Sequence, residues 1–372
     1  MPACAPAAPE VDTPSADAGS PGTAPHASPP GSGVRALGSA CIATLYAGNV
    51  PLYALADGTV HCGLEDARGV RVHSALLAAT ADAGRTALLT TGEDGRVCRT
   101  NAQGVPQELG TLPRKWITSV AQGALGDIAY ASGRSVWVRG TNGALRELAH
   151  ARSAAGIAFS PEGKRLAVAR YGGITVHDLW DAVPPVELDW KGIYSGVTCA
   201  PDGRFVLAFM QDAEMHGWRL PDATRPARHF RMTGYSARIR DWAWSADGRW
   251  LATSGAHAAI VWPFGDEDGP MGSTALELGA RRDGATVSCV AFHPSEPLLA
   301  IGYSDGALAL ASIDDADAER TLRAGEAGAA REAARGALSA ISWHNAGLRI
   351  AYGTQAGECG VLDAPRPTRT GG

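Results

Sequence analysis

Short runs of alternating apolar and polar residues recur along this chain, separated by turns rich in Gly, Asp and Ser. Residues 153–180 read SAAGIAFSPEGKRLAVARYGGITVHDLW, and residues 236–262 read SARIRDWAWSADGRWLATSGAHAAIVW. Residues 285–313 repeat the plan as ATVSCVAFHPSEPLLAIGYSDGALALASI. The unit is a strand, a Ser-Pro-Asp-Gly-like turn, a second strand, an Asp-Gly-like turn and a third strand. It recurs about eight times between Ala40 and Ala364, at a period of about 40 residues, which is the signature of a propeller blade.

The units align on their second turns, at Asp57-Gly58, Asp94-Gly95, Ser132-Gly133, Gly172-Gly173, Gln211-Asp212, Ala256-His257, Asp305-Gly306 and Ala356-Gly357. Asp-Gly and Gly-Gly suit these turns because tight hairpins demand positive φ. A short echo marks a fourth, outer strand: Gln107-Glu108-Leu109, Arg146-Glu147-Leu148, Val186-Glu187-Leu188 and Leu276-Glu277-Leu278. Nothing after the eighth unit makes a good strand, because Pro365 and Pro367 interrupt the remainder. The missing outer strand of the last blade is therefore expected from Val34-Arg35-Ala36-Leu37, which would close the ring and remove its exposed edges. The predicted fold is all-β: one closed propeller of four-stranded antiparallel blades, eight favoured and seven the alternative.

Residues 1–33 are rich in Pro, Ala, Ser and Gly and predict a disordered tail; 34–364 form the propeller, and 365–372 a second tail. Two connections are long. Gly265–Thr274 (GDEDGPMGST) predicts an acidic surface loop, and GEAGAAREAARG within 314–335 predicts a short helix.

By this point the residues resemble the WD40-repeat family. Phe159-Ser160-Pro161-Glu162-Gly163 with Arg165-Leu166-Ala167 carries the likeness. So do Trp244-Ser245-Ala246-Asp247-Gly248 with Trp250-Leu251-Ala252, and Ala291-Phe292-His293-Pro294 with Leu298-Leu299-Ala300. The resemblance covers roughly residues 40–364 and implies a propeller serving as a protein-interaction scaffold. The family's terminal Trp-Asp is largely lost: His177-Asp178, Trp218-Arg219, Trp262-Pro263 and Leu362-Asp363 stand in its place. The opening Gly-His is absent, with Gly234-Tyr235 the nearest trace, so the His, Ser/Thr, Asp and Trp network of the family is incomplete in every blade.

Composition narrows the function. The chain has 372 residues, 45% hydrophobic, with a net charge of −5, which gives no reason to expect nucleic-acid binding. No apolar stretch is long enough to span a membrane, and the N-terminus lacks a secretory pattern, so a cytoplasmic location follows. The seven cysteines (Cys4, Cys41, Cys62, Cys98, Cys199, Cys289 and Cys359) form no CxxC pair and fit a reducing compartment better than a disulfide framework. Neither Asp314-Asp315 nor Asp266-Glu267-Asp268 has a partner base nearby, and no P-loop, dinucleotide fingerprint or nucleophile elbow is present. The histidines fall at non-equivalent repeat positions; His293 and His344 take the Ser place of the first turn.

These observations predict a non-catalytic, monomeric scaffold with no cofactor and no metal, binding one or more proteins. Trp116 and Trp190 precede first strands beside Lys115 and Lys191, the composition of an interface. The same rim is expected to carry Arg170, Tyr171, Tyr194, Met210, Gln211, His257, Tyr303 and Gln355, with Arg238 and Arg240 at the start of unit six. Two alternatives remain open. One is a metal-dependent, lactonase-like propeller hydrolase, for which Asp241 is an inner-strand carboxylate. The other is a metal-homeostasis accessory protein, suggested by the Cys and His count.

Overall fold

The computed structural model describes residues 33–65, 69–222, 224–316, 318–325 and 336–365. The expected N-terminal and C-terminal tails, and most of the expected helix within 314–335, lie outside the described residues. Every regular element among the described residues is a β-strand.

The strands make eight four-stranded antiparallel sheets. Blades 1 to 7 span residues 41–71, 76–111, 119–149, 154–189, 194–232, 242–278 and 287–323, each built from consecutive strands. Blade 8 takes three strands from 338–363 and its outer strand from Val34–Ala36. The eight-blade reading and the closing strand are both borne out. Val34, Arg35 and Ala36 pair with Gly360, Cys359 and Glu358. The Leu37 amide donates to the Gly357 carbonyl at 2.8 Å, and the Val361 amide to Gly33 at 3.1 Å.

Period-2 alternation dictates what is buried. Each blade turns apolar side chains to both neighbours, and the core is a set of eight apolar layers, one at every blade junction. Cys41, Tyr46, Tyr53 and Leu55 of blade 1 pack on Ala340, Ala351, Cys359 and Val361 of blade 8, so the last junction is as apolar as the rest. The Cys41 and Cys359 thiols hydrogen-bond across it, and that contact, with burial, holds the Cys41 thiol well above its ordinary range. The described cysteines are free thiols.

Local chemistry fixes the turns. Ser160 Oγ accepts the Arg165 amide at 2.9 Å, and Ser245 Oγ accepts the Trp250 amide at 3.0 Å. Where His replaces this Ser, an imidazole nitrogen takes over: His293 Nδ1 accepts from Glu296 at 2.9 Å and His344 Nδ1 from Ala346 at 3.1 Å. These two histidines are turn caps, as their place in the repeat suggested. At the second turn of blade 1, Gly58 has φ of 90°, and a Cβ there would sit 2.2 Å from the His73 carbonyl oxygen. Only glycine fits a turn folded so closely under the next connection.

Six first strands carry a bulge near their start, for example between Tyr194 and Gly196 and between Val287 and Cys289. The extra residue adds twist where strands crowd the axis. Ser195, Ser288 and Ser339 occupy such positions, and each hydroxyl donates to a second-strand carbonyl, at 3.1, 3.2 and 3.2 Å.

The closing strand makes a direct prediction. A chain beginning at Ser39 lacks it, whereas one beginning at Gly33 keeps it. We expect the shorter chain to melt lower by about 5 °C, since several backbone hydrogen bonds worth ~1 kcal/mol each are lost. Equal melting temperatures would refute the closing role of Val34–Ala36.

Candidate functional site

Antiparallel order sends two kinds of segment to one end of the ring: the turn between second and third strands, and the connection from each outer strand to the next first strand. Backbone hydrogen bonds lock the two together. Ile117 donates to Gly92 (3.3 Å), Ala154 to Gly133 (2.9 Å), Gln211 to Ile193 (2.9 Å) and Arg281 to His257 (2.9 Å). Side chains on this face therefore stand on a braced platform.

Of the rim residues expected from the sequence, Trp116, Tyr171 and Trp190 are exposed at this end, at 60%, 46% and 44%, and Ile193 joins them at 50%. Arg238, Arg240, His257 and Gln355 are exposed there too. His257 Nδ1–H donates to the Ala285 carbonyl at 3.0 Å. Arg170 lies on the same face but is committed: its guanidinium bonds Glu187, Asp189 (2.8 Å) and Thr175 (2.9 Å).

Three expectations are corrected. Tyr194, Met210 and Tyr303 are buried, not presented on the surface. Each is the terminal residue of a strand, and the pleat turns its side chain into a blade junction. The Tyr194 hydroxyl donates to the Trp190 carbonyl at 3.0 Å and the Tyr303 hydroxyl to the Gly279 carbonyl at 2.6 Å. Met210 packs in the layer between blades 4 and 5.

Arg152, Ser153, Ala155, Tyr171, Ile193 and Gln211 surround a groove of about 390 Å³ between blades 4 and 5, with Tyr194 beneath. Arg152 lies over the Tyr171 ring, 5.7 Å from its centroid. Next to it the Trp190 indole stacks on His229 at 4.1 Å, and His229 hydrogen-bonds His216 at 2.9 Å. Burial pushes both imidazoles below their ordinary range. The sequence reading missed Ile193, whose place in the Trp190–Ile193 connection was the available signal. It also missed Trp180, 63% exposed beside Lys164 on the opposite face.

Residues 227–262 and 277–310 match the family model described as WD domain, G-beta repeat. This is a WD40-type β-propeller, two of whose repeats match the family model. No curated protein sequence matches it. Among solved structures it is similar to the C-terminal WD40 domain of Sif2, with a TM-score of 0.66 at 12% identity, over 89% of this chain and 98% of that one. A chain of the mitotic checkpoint complex superposes at 0.57 and 15% identity, over 75% of this chain and 84% of its own. The β-propeller domain of Cps50 (Swd1) from Myceliophteria thermophila superposes at 0.55 and 16% identity, over 72% and 94%. At these identities the likeness is one of fold.

Two blades keep part of the WD40 hydrogen-bond network in altered form. In blade 2, His73 Nε2 meets Thr90 Oγ1 at 3.0 Å and Nδ1 meets Asp94 at 3.0 Å, but Cys98 stands in the third strand where tryptophan would complete the set. In blade 6, Tyr235 replaces the histidine. Its hydroxyl accepts the Trp262 indole N–H at 2.8 Å and bonds Thr253 Oγ1 at 2.8 Å. Burial pushes the Tyr235 hydroxyl up to about 12.

A central cavity of about 630 Å³ runs along the first strands of blades 1, 2, 6, 7 and 8. Trp242 and Trp244 border it while packing into blade 5, Trp242 stacked on Phe209 at 3.9 Å and the Trp244 indole N–H donating to Thr198 Oγ1 at 3.1 Å. Asp241, the inner-strand carboxylate, accepts the Val290 amide at 2.9 Å and so straps blade 6 to blade 7. Among the described residues no three His, Cys, Asp or Glu side chains gather as a metal site would require.

Two stability measurements test these assignments. Tyr235→Phe leaves the Trp262 N–H without its acceptor and should cost about 1–2 kcal/mol in urea unfolding; an unchanged midpoint would remove the network from blade 6. Burial pushes the Asp241 carboxyl from 3.8 up to about 6. Between about pH 4 and 6 the unfolded chain then binds fewer protons than the folded one, so stability falls as pH rises through that window. Relative to Asp241→Asn, the natural chain should lose on the order of 1–2 kcal/mol between these limits, discounted for the solvent reaching the channel wall. Parallel pH profiles would contradict it.

Proposed function

We propose that this WD40 propeller is a non-catalytic, monomeric, cytoplasmic scaffold that holds a protein partner on the face bearing Trp116, Tyr171, Trp190, Arg238 and Arg240. The observation that carries the reading is the groove beside Tyr171 and Ile193. Large apolar side chains stand exposed around it instead of entering a blade junction. Exposed aromatics flanked by arginine are the composition of interface hot spots, where one truncation often removes more than 2 kcal/mol. Two further observations support it. The backbone bonds between turns and connections preorganise the face, and a propeller of similar fold belongs to a complex, the mitotic checkpoint complex.

The test is a triple variant, Trp116→Ala, Tyr171→Ala and Trp190→Ala, compared with the natural chain in affinity capture from its native extract. All three side chains are exposed, so the variant should melt within a few degrees of the natural chain. We expect it to lose the stoichiometric partners that the natural chain retains. Retention of the same partners by the folded variant would place the interface elsewhere.

A further inference from the structure

The face just described is charged in a way the whole chain is not. Its connections carry Arg114 and Lys115 before blade 3, Arg152 before blade 4 and Lys191 before blade 5. Arg238 and Arg240 stand before blade 6. All are exposed, and among the described residues none is in an ion pair. The acids at the same end are mostly spoken for. Asp57 pairs with Arg71, Glu214 with Arg231, and both Asp283 and Asp305 with Arg281, while Asp94 hydrogen-bonds His73. Among the described residues, the exposed acids there without an ion pair are Glu93 and Asp212. A chain of net charge −5 thus presents a face of uncompensated positive charge, centred on the groove of blades 4 and 5.

We infer that the partner segment seated on this face is an acidic peptide, with carboxylates flanking one large apolar side chain that enters the groove between Tyr171 and Ile193. The inference rests on the protein-binding reading above and gives its partner a chemistry. Unpaired cations repel one another across the face, and a binder bearing carboxylates relieves that repulsion while gaining attraction. At physiological ionic strength charges interact over about 8 Å, so the local patch outweighs the distant negative charge of the other blades. The groove, at about 390 Å³, falls within the range of about 300–1,000 Å³ common to ligand pockets.

A nucleic acid fits less well. The cations are broken up by Trp116, Trp190 and Ile193 and do not line one continuous track of phosphate spacing. One face of the Tyr171 ring, which borders the groove, is occupied by Arg152 and so cannot stack a base.

The experiment uses the full chain and fluorescence polarisation with three labelled probes. These are an acidic peptide of Glu and Asp around a Leu-Phe pair, the same peptide with Lys for every acid, and oligothymidylate. We expect the acidic peptide alone to bind, and its affinity to fall as salt rises. Arg152→Glu with Arg238→Glu and Arg240→Glu should weaken it by about tenfold or more at low salt, with an unchanged melting temperature. Tyr171→Ala should weaken it at every salt concentration. The inference falls if the lysine peptide binds as well, if charge reversal changes nothing, or if oligothymidylate displaces the acidic peptide. It also falls if sedimentation shows a salt-sensitive dimer abolished by the same reversals, which would make a second copy the occupant. Should the acidic peptide fail while the aromatic triple variant still loses its captured partners, the protein-binding reading stands and this partner chemistry alone is overturned.

Discussion

The structure depends on a ring of apolar layers with no beginning and no end. No blade has a core of its own, because each sheet is covered only by the sheets beside it. An open stack would leave two sheet faces bare. Closure covers both at once, and it is made by the packing of Tyr46 and Tyr53 against Ala351 and Val361 and by the pairing of Val34–Ala36 with the last strand. Blades 1 and 8 are far apart in sequence, so this junction carries the largest loop-closure entropy in the chain. Its apolar layer, with two thiols sealed inside and the Tyr53 hydroxyl donating to the Gly360 carbonyl across it, is what such a junction requires.

The architecture was open to inspection in the sequence because it rests on period 2 and on turn chemistry. Gly58, Gly172 and Gly357 mark hairpins that need positive φ, and the recurrence of the second turn, with or without glycine, counts the blades. Even the borrowed strand could be found by asking which segment was left to complete blade 8. The candidate site was less legible. Trp116, Tyr171 and Trp190 came out exposed, in turns and connections and outside the blade-junction layers. Tyr194, Met210 and Tyr303 were misread by a single position. A residue at the end of a strand and one in the following turn look alike in sequence, yet the pleat buries the first and exposes the second.

Charge pairing was wholly hidden. In sequence Arg170 and Arg152 are simply two arginines that flank strands of the same unit. In three dimensions Arg170 is held by Glu187 and Asp189 on the neighbouring outer strand, while Arg152 meets only a ring. Which charges remain free for a partner is decided by cross-strand neighbours, and these follow from register rather than from local pattern. The scaffold and its surface thus answer to separate constraints. The layers specify the ring, and the connections can change around it without disturbing them.

The borrowed strand also sets the order in which the molecule can be completed. Val34–Ala36 leaves the ribosome among the first residues described, and Glu358–Gly360, its partners, among the last. Throughout synthesis blade 1 waits with one apolar face uncovered and the first strand waits without its ladder. Seven blades can stack as they emerge, but the nascent chain cannot hide its last sticky edge until blade 8 has been made.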